Sequence, residues 1–187
     1  MPSPIVQTLK LVCHPESHNA AVRGISVAVR RASGDELAIG YTIEGEFERL
    51  LMPPTHATRT AHELWKHTCC ECFIARKGHP EYYEFNFSPS GEWAAYAFSS
   101  YREGVALMDE ALDPRITVRR SADRLELDAS IALERFPLRY RGGALALGLS
   151  AVIEDVGGEF SYWALRHPSA KPDFHHRDSF TLELLSY

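Results

Sequence analysis

The sequence lacks several features that would point to common functional classes. No run of 18 or more apolar residues occurs among its 187 residues, so we expect no membrane-spanning helix. The segment Met1–Pro4 has neither the basic region nor the long apolar stretch of a signal peptide, which favours a cytoplasmic protein. The formal net charge of -5 argues against a nucleic-acid partner, which would require a basic face.

Cysteine is also scarce, with four residues, of which three fall between Cys69 and Cys72. Neighbouring residues of a strand point to opposite faces, so Cys69 and Cys70 are poorly placed to form a disulfide. The two Cys-x-x-Cys pairs of a zinc module are not present, although His67 and Cys13 could add ligands to a metal. We therefore interpret the cysteines as reduced, buried apolar residues and predict no metal site.

The sequence contains many short, strand-like runs that are rich in β-branched, aromatic or alternating residues. Turn signals such as Ser88–Gly91 and Gly157–Gly158 separate these runs. The predicted strands are Val22–Arg30, Glu36–Ile43, Thr68–Ala75, Tyr82–Ser88, Glu92–Ser99, Ile116–Arg120, Leu125–Ile131, Ala144–Glu154, Phe160–Leu165 and Phe180–Leu184. This spacing predicts an all-β, two-sheet sandwich of jelly-roll type.

Evidence for helices is thin, and Tyr101–Leu112 and Leu133–Phe136 are the two segments that we expect to form short helices. No internal repeat and no low-complexity tract interrupts the chain. We therefore expect residues 1–187 to form a single domain.

Single polar residues occur inside two of the apolar strands. Glu71 lies between two cysteines, while Glu84 and Asn86 alternate with three aromatic residues. Because alternate side chains of a strand share a face, Glu84 and Asn86 are predicted on one face and the aromatic rings on the other. An unpaired carboxylate on an apolar sheet is costly, so this pattern indicates a site.

Three long connections contain more functional groups than a turn requires: Met52–Glu63, Tyr101–Arg115 and His167–Ser179. The first contains Arg59, and the last contains His175 and His176. Loops that gather aromatic, histidine, arginine and aspartate residues on a β scaffold commonly form binding sites.

Five segments, taken in order, resemble a known family. They are Leu64–Trp65, Glu71–Ile74, Tyr82–Asn86, Tyr162–Trp163 and Asp173–Phe180. The ordered set is similar to the DOMON-like domains related to carbohydrate-binding module family 9, and the similarity covers most of the chain from about Trp65 onward. The resemblance implies a jelly-roll β-sandwich that binds its ligand and does not transform it.

The resemblance also implies roles for individual residues. Trp65 matches the first of two aromatic clamps on a terminal sugar, and Phe174 falls at the second, where the sugar-binding members carry tryptophan. Glu71 and Asn86 match strand positions that supply polar contacts. The predicted ligand is a saccharide or a similar polar small molecule, for which aromatic plates and a few directed polar groups are the expected receptor. The full predicted ligand-binding set is Trp65, Glu71, Glu84, Asn86, Arg59, Phe174, His175, His176 and Trp163.

Other interpretations remain open. Glu71 and Glu84 with His175 could form the acid–base set of a small hydrolase or lyase-like enzyme, although no nucleophile motif or phosphate loop is present. Some DOMON relatives bind haem b between methionine and histidine, which here would be Met52 and His167. We expect no cofactor and a non-catalytic protein, and the oligomeric state is left open.

Overall fold

The computed structural model describes residues 6–32, 36–54, 61–107, 112–135 and 144–185, and most of these residues belong to β-strands. The strands are β1 Gln7–Cys13, β2 Val22–Ala32, β3 Glu36–Gly45, β4 Cys69–Arg76, β5 Tyr82–Phe87, β6 Trp93–Ser100, β7 Glu103–Ala106, β8 Arg115–Arg120, β9 Arg124–Ala132, β10 Leu145–Glu154, β11 Phe160–Ala164 and β12 Leu182–Leu184. Short 3-10 turns cover Phe47–Arg49, Leu64–Lys66, Leu133–Arg135 and Arg177–Ser179. No helix among the described residues is long and apolar enough to cross a membrane.

The strands form one antiparallel, hydrogen-bonded series in the order β7-β6-β5-β4-β10-β11-β1-β2-β3-β9-β8, with β12 beside the first residues of β10. Strand β1 joins the two parts of this series. Residues 7–11 pair with β2, whereas Val12 and Cys13 pair with Ala164 and Trp163 of β11. The predicted all-β fold is confirmed, and the arrangement is consistent with a β-sandwich.

All ten predicted strands are present, each within two residues of its expected bounds. Strands β1 and β7 were not predicted. The helix expected over Tyr101–Leu112 is wrong, because the described part of this segment forms a turn followed by β7. Gly104 favours this hairpin, since a Cβ atom there would lie 2.5 Å from the Phe98 ring on β6. Of the second expected helix, Leu133–Arg135 forms a 3-10 turn and Phe136 lies outside the described residues.

The main hydrophobic core contains side chains from both parts of the strand series. Val27, Ile39 and Leu127 belong to β2, β3 and β9, while Phe85 and Leu149 belong to β5 and β10, and all five are almost fully buried. We call the sheet face toward this cluster the inner face and the opposite face the outer face.

The cysteines contribute to packing. Cys70 and Cys72 lie in the core, Cys69 is buried, and all four cysteines are free thiols. Burial raises the pKa of the Cys70 and Cys72 thiols well above their usual range, so these groups are held in the protonated, unreactive form.

Candidate ligand-binding cleft

Strands β4 and β5 are buried along almost their whole length on both faces, unlike β9, in which buried and partly exposed residues alternate. The inner face carries Phe85 and Phe87, as the alternation of the sequence predicts. On the outer face, Glu71 lies opposite Ser150 of β10 on one side and Asn86 of β5 on the other. A row of polar side chains therefore crosses three adjacent strands.

A cleft of about 560 Å³ lies against this outer face. Aromatic rings, a few apolar side chains, His175 and four charged residues line it. The lining residues are Trp65, Lys66, Glu71, Glu84, Tyr96, Phe98, Arg102, Val152, Phe160, Tyr162, Pro172, Phe174 and His175.

Two carboxyl groups of the cleft lining, those of Glu71 and Glu84, are almost fully buried, with exposed fractions of 2% and 5%. Ser150 Oγ donates a hydrogen bond to Glu71 Oε2 at 3.1 Å, and Asn86 Nδ2 donates to Glu84 Oε1 at 2.8 Å. Burial raises the pKa of Glu84 to about 7. Burial, and next the charge of Glu84, raise the pKa of Glu71 well above its usual range. Near neutral pH these carboxyl groups can therefore donate as well as accept hydrogen bonds.

His175 connects Glu84 to the rim of the cleft. Its Nδ1 lies 2.9 Å from the Tyr82 hydroxyl oxygen, which also accepts a hydrogen bond from the backbone N–H of Arg102 at 3.1 Å. We assign the Tyr82 proton to the bond with His175 Nδ1, which places the imidazole proton on Nε2, 3.7 Å from Glu84 Oε2. Burial, and next the charge of Arg102, lower the pKa of His175 to about 4, so the ring is neutral at pH 7.

The segment around Asp173 is attached to the turn between β6 and β7. Asp173 Oδ1 accepts from Arg102 Nη2 at 2.9 Å and from the His175 backbone N–H at 3.2 Å, while Oδ2 accepts from the Tyr101 hydroxyl at 2.7 Å. These bonds fix Phe174 and His175 relative to the strands that carry the carboxyl groups.

The aromatic rings occupy different sides of the cleft. Phe98 stacks on Tyr82 with ring centroids 4.6 Å apart, and Phe174 lies 6.2 Å from Tyr162. Trp65 comes from the 3-10 turn before β4 and is 45% exposed. An exposed ring of this size at the edge of a cleft is available to contact a ligand.

The structure brings together five of the predicted ligand-binding residues, because Trp65, Glu71, Glu84, Phe174 and His175 all line the cleft. Glu71 and Glu84 come from adjacent strands, and Phe174 and His175 come from the segment after β11. The three polar residues and two rings therefore belong to one site.

Three of the other four predicted residues, Asn86, His176 and Trp163, are described by the structure and do not line the cleft. Asn86 is fully buried and holds Glu84. His176 accepts a hydrogen bond from the Asp178 backbone N–H and begins the 3-10 turn at Arg177. Trp163 is a core residue whose indole N–H donates to Ser161 Oγ. Arg59 lies outside the described residues.

Several residues that line the cleft were not predicted from the sequence. Tyr96 and Phe98 alternate with alanines in β6, a pattern that could have indicated a face with large rings opposite a face with small residues. Tyr162 lines the cleft where its neighbour Trp163 was expected. Arg102 belongs to the segment that was expected to be helical.

The two residues of the haem alternative have other contacts. Met52 packs against the main core, and His167 Nε2 lies 2.8 Å from the backbone oxygen of Val12. The His167 ring also contacts His14 edge to face, with centroids 4.8 Å apart. Haem binding through these residues stays a prediction.

Comparison with known proteins gives structural similarity only. No protein-family model and no curated protein matches the sequence. A candidate carbohydrate-binding protein from Bacteroides uniformis, seen in a crystal structure, matches with a TM-score of 0.67 at 14% identity, covering 94% of this chain and 84% of the other. This match shows that the two proteins share a fold.

Two structures of a family 9 carbohydrate-binding module from Caldicellulosiruptor kristjanssonii match less well. The complex with glucose has a TM-score of 0.48 and 9% identity and covers 84% of this chain and 74% of the module. The complex with cellotriose has a TM-score of 0.49 and 10% identity and covers 86% and 72%.

Proposed function

We propose that the cleft binds a saccharide or a similar polar small molecule without transforming it. One observation carries the proposal: the rings of Trp65 and Phe174 line the same cleft as the carboxyl groups of Glu71 and Glu84. A sugar ring presents apolar C–H faces and a rim of hydroxyl groups, so aromatic plates and a few convergent polar groups form a suitable receptor.

The size and chemistry of the cleft support this function. Its volume of about 560 Å³ falls within the range of about 300–1,000 Å³ typical of small-molecule pockets. Hydroxyl groups both donate and accept hydrogen bonds. Carboxyl groups with a raised pKa can also do both, because they carry a proton near neutral pH. The candidate carbohydrate-binding protein with the same fold is in line with this function.

We assign a role to each part of the site. Trp65 and Phe174 supply apolar contact surfaces, Glu71 and Glu84 bond ligand hydroxyl groups, and His175 offers its Nε2–H. Asn86 acts through Glu84 and is a positioning residue. The chain would then be a jelly-roll sandwich of the DOMON-like type related to carbohydrate-binding module family 9.

Calorimetric titration of the protein with a set of mono- and oligosaccharides tests the proposal. Trp65→Ala and Phe174→Ala should each weaken binding by about tenfold, equivalent to about 1.4 kcal/mol of lost stacking and contact. Val156→Ala is a matched control, because Val156 is 65% exposed and does not line the cleft. Unchanged affinity in both aromatic variants, or no binding of any saccharide to the native protein, would contradict the proposal.

An acid–base enzyme is the second candidate, and the pair formed by His175 and Glu84 favours it. A carboxyl group with a pKa of about 7 is well matched to proton transfer at neutral pH, and the imidazole lies 3.7 Å away. Chromatographic analysis of the same saccharides after incubation tests this function. Product formation that is lost in Glu84→Gln and His175→Gln would replace the binding proposal with an enzymatic one.

A further inference from the structure

The cationic side chains of the cleft are engaged with acids of their own. Lys66 Nζ lies 2.6 Å from Glu63 Oε2, and Arg102 Nη2 lies 2.9 Å from Asp173 Oδ1. Within the described residues, no lysine or arginine forms an ion pair with Glu71 or Glu84. The His175 ring, which is neutral at pH 7, lies 3.7 Å from Glu84 Oε2. The charge of Arg102 lowers the pKa of Glu84 only enough to offset part of the effect of burial, and Arg102 itself is paired with Asp173.

Within the described part of the chain, each of the two carboxyl groups also has one oxygen without a hydrogen-bond donor. Ser150 donates a hydrogen bond to Glu71 Oε2, and Asn86 donates one to Glu84 Oε1. Among the residues that the structure describes, none donates a hydrogen bond to Glu71 Oε1 or to Glu84 Oε2. Buried carboxylates in proteins are normally paired with a cation or fully hydrogen-bonded. Both residues line the cleft, so a bound ligand could reach their carboxyl groups.

The aromatic lining provides a second, independent preference of the same sign. Tyr96, Phe98 and Tyr162 line the cleft together with Trp65 and Phe174. The face of an aromatic ring carries a partial negative charge and attracts an organic cation. Lys66 Nζ already lies 5.5 Å from the centroid of the Trp65 ring. A ligand cation over the face of one of these rings would be stabilised in the same sense as by the carboxyl groups.

We propose that the ligand carries a positive charge and belongs to the class of amino sugars, whose ammonium group would lie beside Glu71 and Glu84. This inference rests on the proposed saccharide-binding function and names the ligand class of that site. The sugar ring would contact Trp65 and Phe174, while the ammonium group would supply the charge and the hydrogen-bond donors that the described residues do not give to the two open carboxyl oxygens.

Binding of such a cation should be linked to proton release. The titratable or charged groups around Glu84 are Cys69 and Glu71 on β4, Tyr82 on β5 itself, Tyr96 on β6, Arg102 after β6, and His175 in the segment after β11. A cation favours the ionised carboxylate, and at pH 6 Glu84 still holds its proton because its pKa is about 7. Binding at pH 6 should therefore release a proton, whereas a neutral sugar should release none.

Isothermal titration at pH 6, repeated in two buffers of different ionisation enthalpy, tests this inference with glucosamine, N-acetylglucosamine, glucose and tetramethylammonium. Glucosamine should bind about tenfold more tightly than N-acetylglucosamine, which has the same ring without the charge. Its binding enthalpy should depend on the buffer, and that of glucose should not.

Variants locate the effect. Glu84→Gln keeps the shape and the Asn86 contact, so it should lose the preference for glucosamine and the proton release. Glu92→Gln is the matched control, because Glu92 is also buried but does not line the cleft, and it should leave both unchanged. Urea unfolding of both variants checks that they remain folded.

The outcomes separate this inference from the function on which it rests. Glucose binding as tightly as glucosamine would overturn the preference for a cation and leave saccharide binding intact. Binding of tetramethylammonium but of no sugar would support the cation site and overturn the amino-sugar class. No binding of any probe would overturn both proposals.

Discussion

Two parts of the outer surface carry carboxylates, and their electrostatic situations are opposite. On β9, Glu126 and Asp128 are partly exposed and lie 3.0 Å and 2.6 Å from nitrogen atoms of Arg119. On β4 and β5, Glu71 and Glu84 are buried, and no arginine or lysine of the described residues pairs with them. Hydrogen bonds from Arg124 and Arg119 lower the pKa of Glu126, whereas burial raises the pKa of Glu84.

This difference shows what distinguishes a solvated acidic face from a candidate site. Charged residues that alternate with apolar ones, as in β9, form exposed ion pairs. Breaking one of these pairs costs little free energy of folding, because water solvates both charges. A carboxyl group in a strand buried on both faces has lost its water and has no such partner in the described chain. The second arrangement persists at a cost in stability, which binding of a ligand can offset.

The largest effect that we expect is on the pH dependence of stability. The pKa of Glu84 is about 7 in the folded protein, compared with an ordinary value of 4.5, so the unfolded chain loses this proton first as pH rises. Native stability should therefore fall between about pH 4.5 and pH 7. Relative to Glu84→Gln, the native protein should lose about 3 kcal/mol over this range. Urea unfolding at several pH values measures the difference.

Glu126→Gln is the contrasting variant. The pKa of Glu126 is lowered in the folded protein, so its contribution to stability is present above pH 4.5 and is lost at more acid pH. His175 contributes a dependence opposite to that of Glu84, which the native protein and both variants share. If the free energy of unfolding changed with pH in the same way for the native protein and Glu84→Gln, Glu84 would have the same pKa in the folded and the unfolded state, and the prediction would be wrong.

A smaller effect should follow from removing the donor that holds Glu84. Asn86→Ala leaves Glu84 Oε1 buried without its hydrogen bond, which should cost about 1–3 kcal/mol of stability at pH 8. The cost should be lower at pH 5, because the bond favours the ionised form. Thr42→Ala in β3 serves as a control for shortening a polar strand residue. An equal cost at the two pH values would show that Asn86 acts only through packing.

The smallest effect should come from the exposed network. Arg119→Gln removes the ion pairs with Glu126 and Asp128, whose side chains are 30% and 50% exposed. Because solvent screens such pairs, the urea midpoint at pH 7 should change less than in either cleft variant, and added salt should reduce the change further. A loss as large as that of Asn86→Ala would remove the distinction between the two surfaces.

The strands and the faces of β4 and β5 were predictable because alternation is a local property of the chain. Glu71, Glu84 and Asn86 share the outer face, as their spacing within each strand and the register between strands require. Strand β1 was not predicted because Leu9 and Leu11 alternate with polar residues over only a short segment. Strand β7 is exposed along its length and has no apolar pattern to reveal it.

The sequence could not decide which aromatic residue of β11 would face the cleft. Tyr162 and Trp163 are neighbours, so one must point outward and the other inward. The choice depends on pairing with distant strands: Trp163 lies opposite Ala151 and Cys13, and Tyr162 lies opposite Val152. Such a one-residue difference in register exchanges the two faces and is fixed only by the assembled sheet.

The pairing of β1 with two different strands has a consequence for the order of folding. Its first residues can form a hairpin with β2 early, but Val12 must wait for Ala164, near the other end of the chain. Closure across so large a sequence separation is slow, so we expect the final folding phase on the order of milliseconds to seconds. Stopped-flow refolding should show this phase, and Ala164→Pro, which lacks the N–H of a paired strand, should slow it or prevent it.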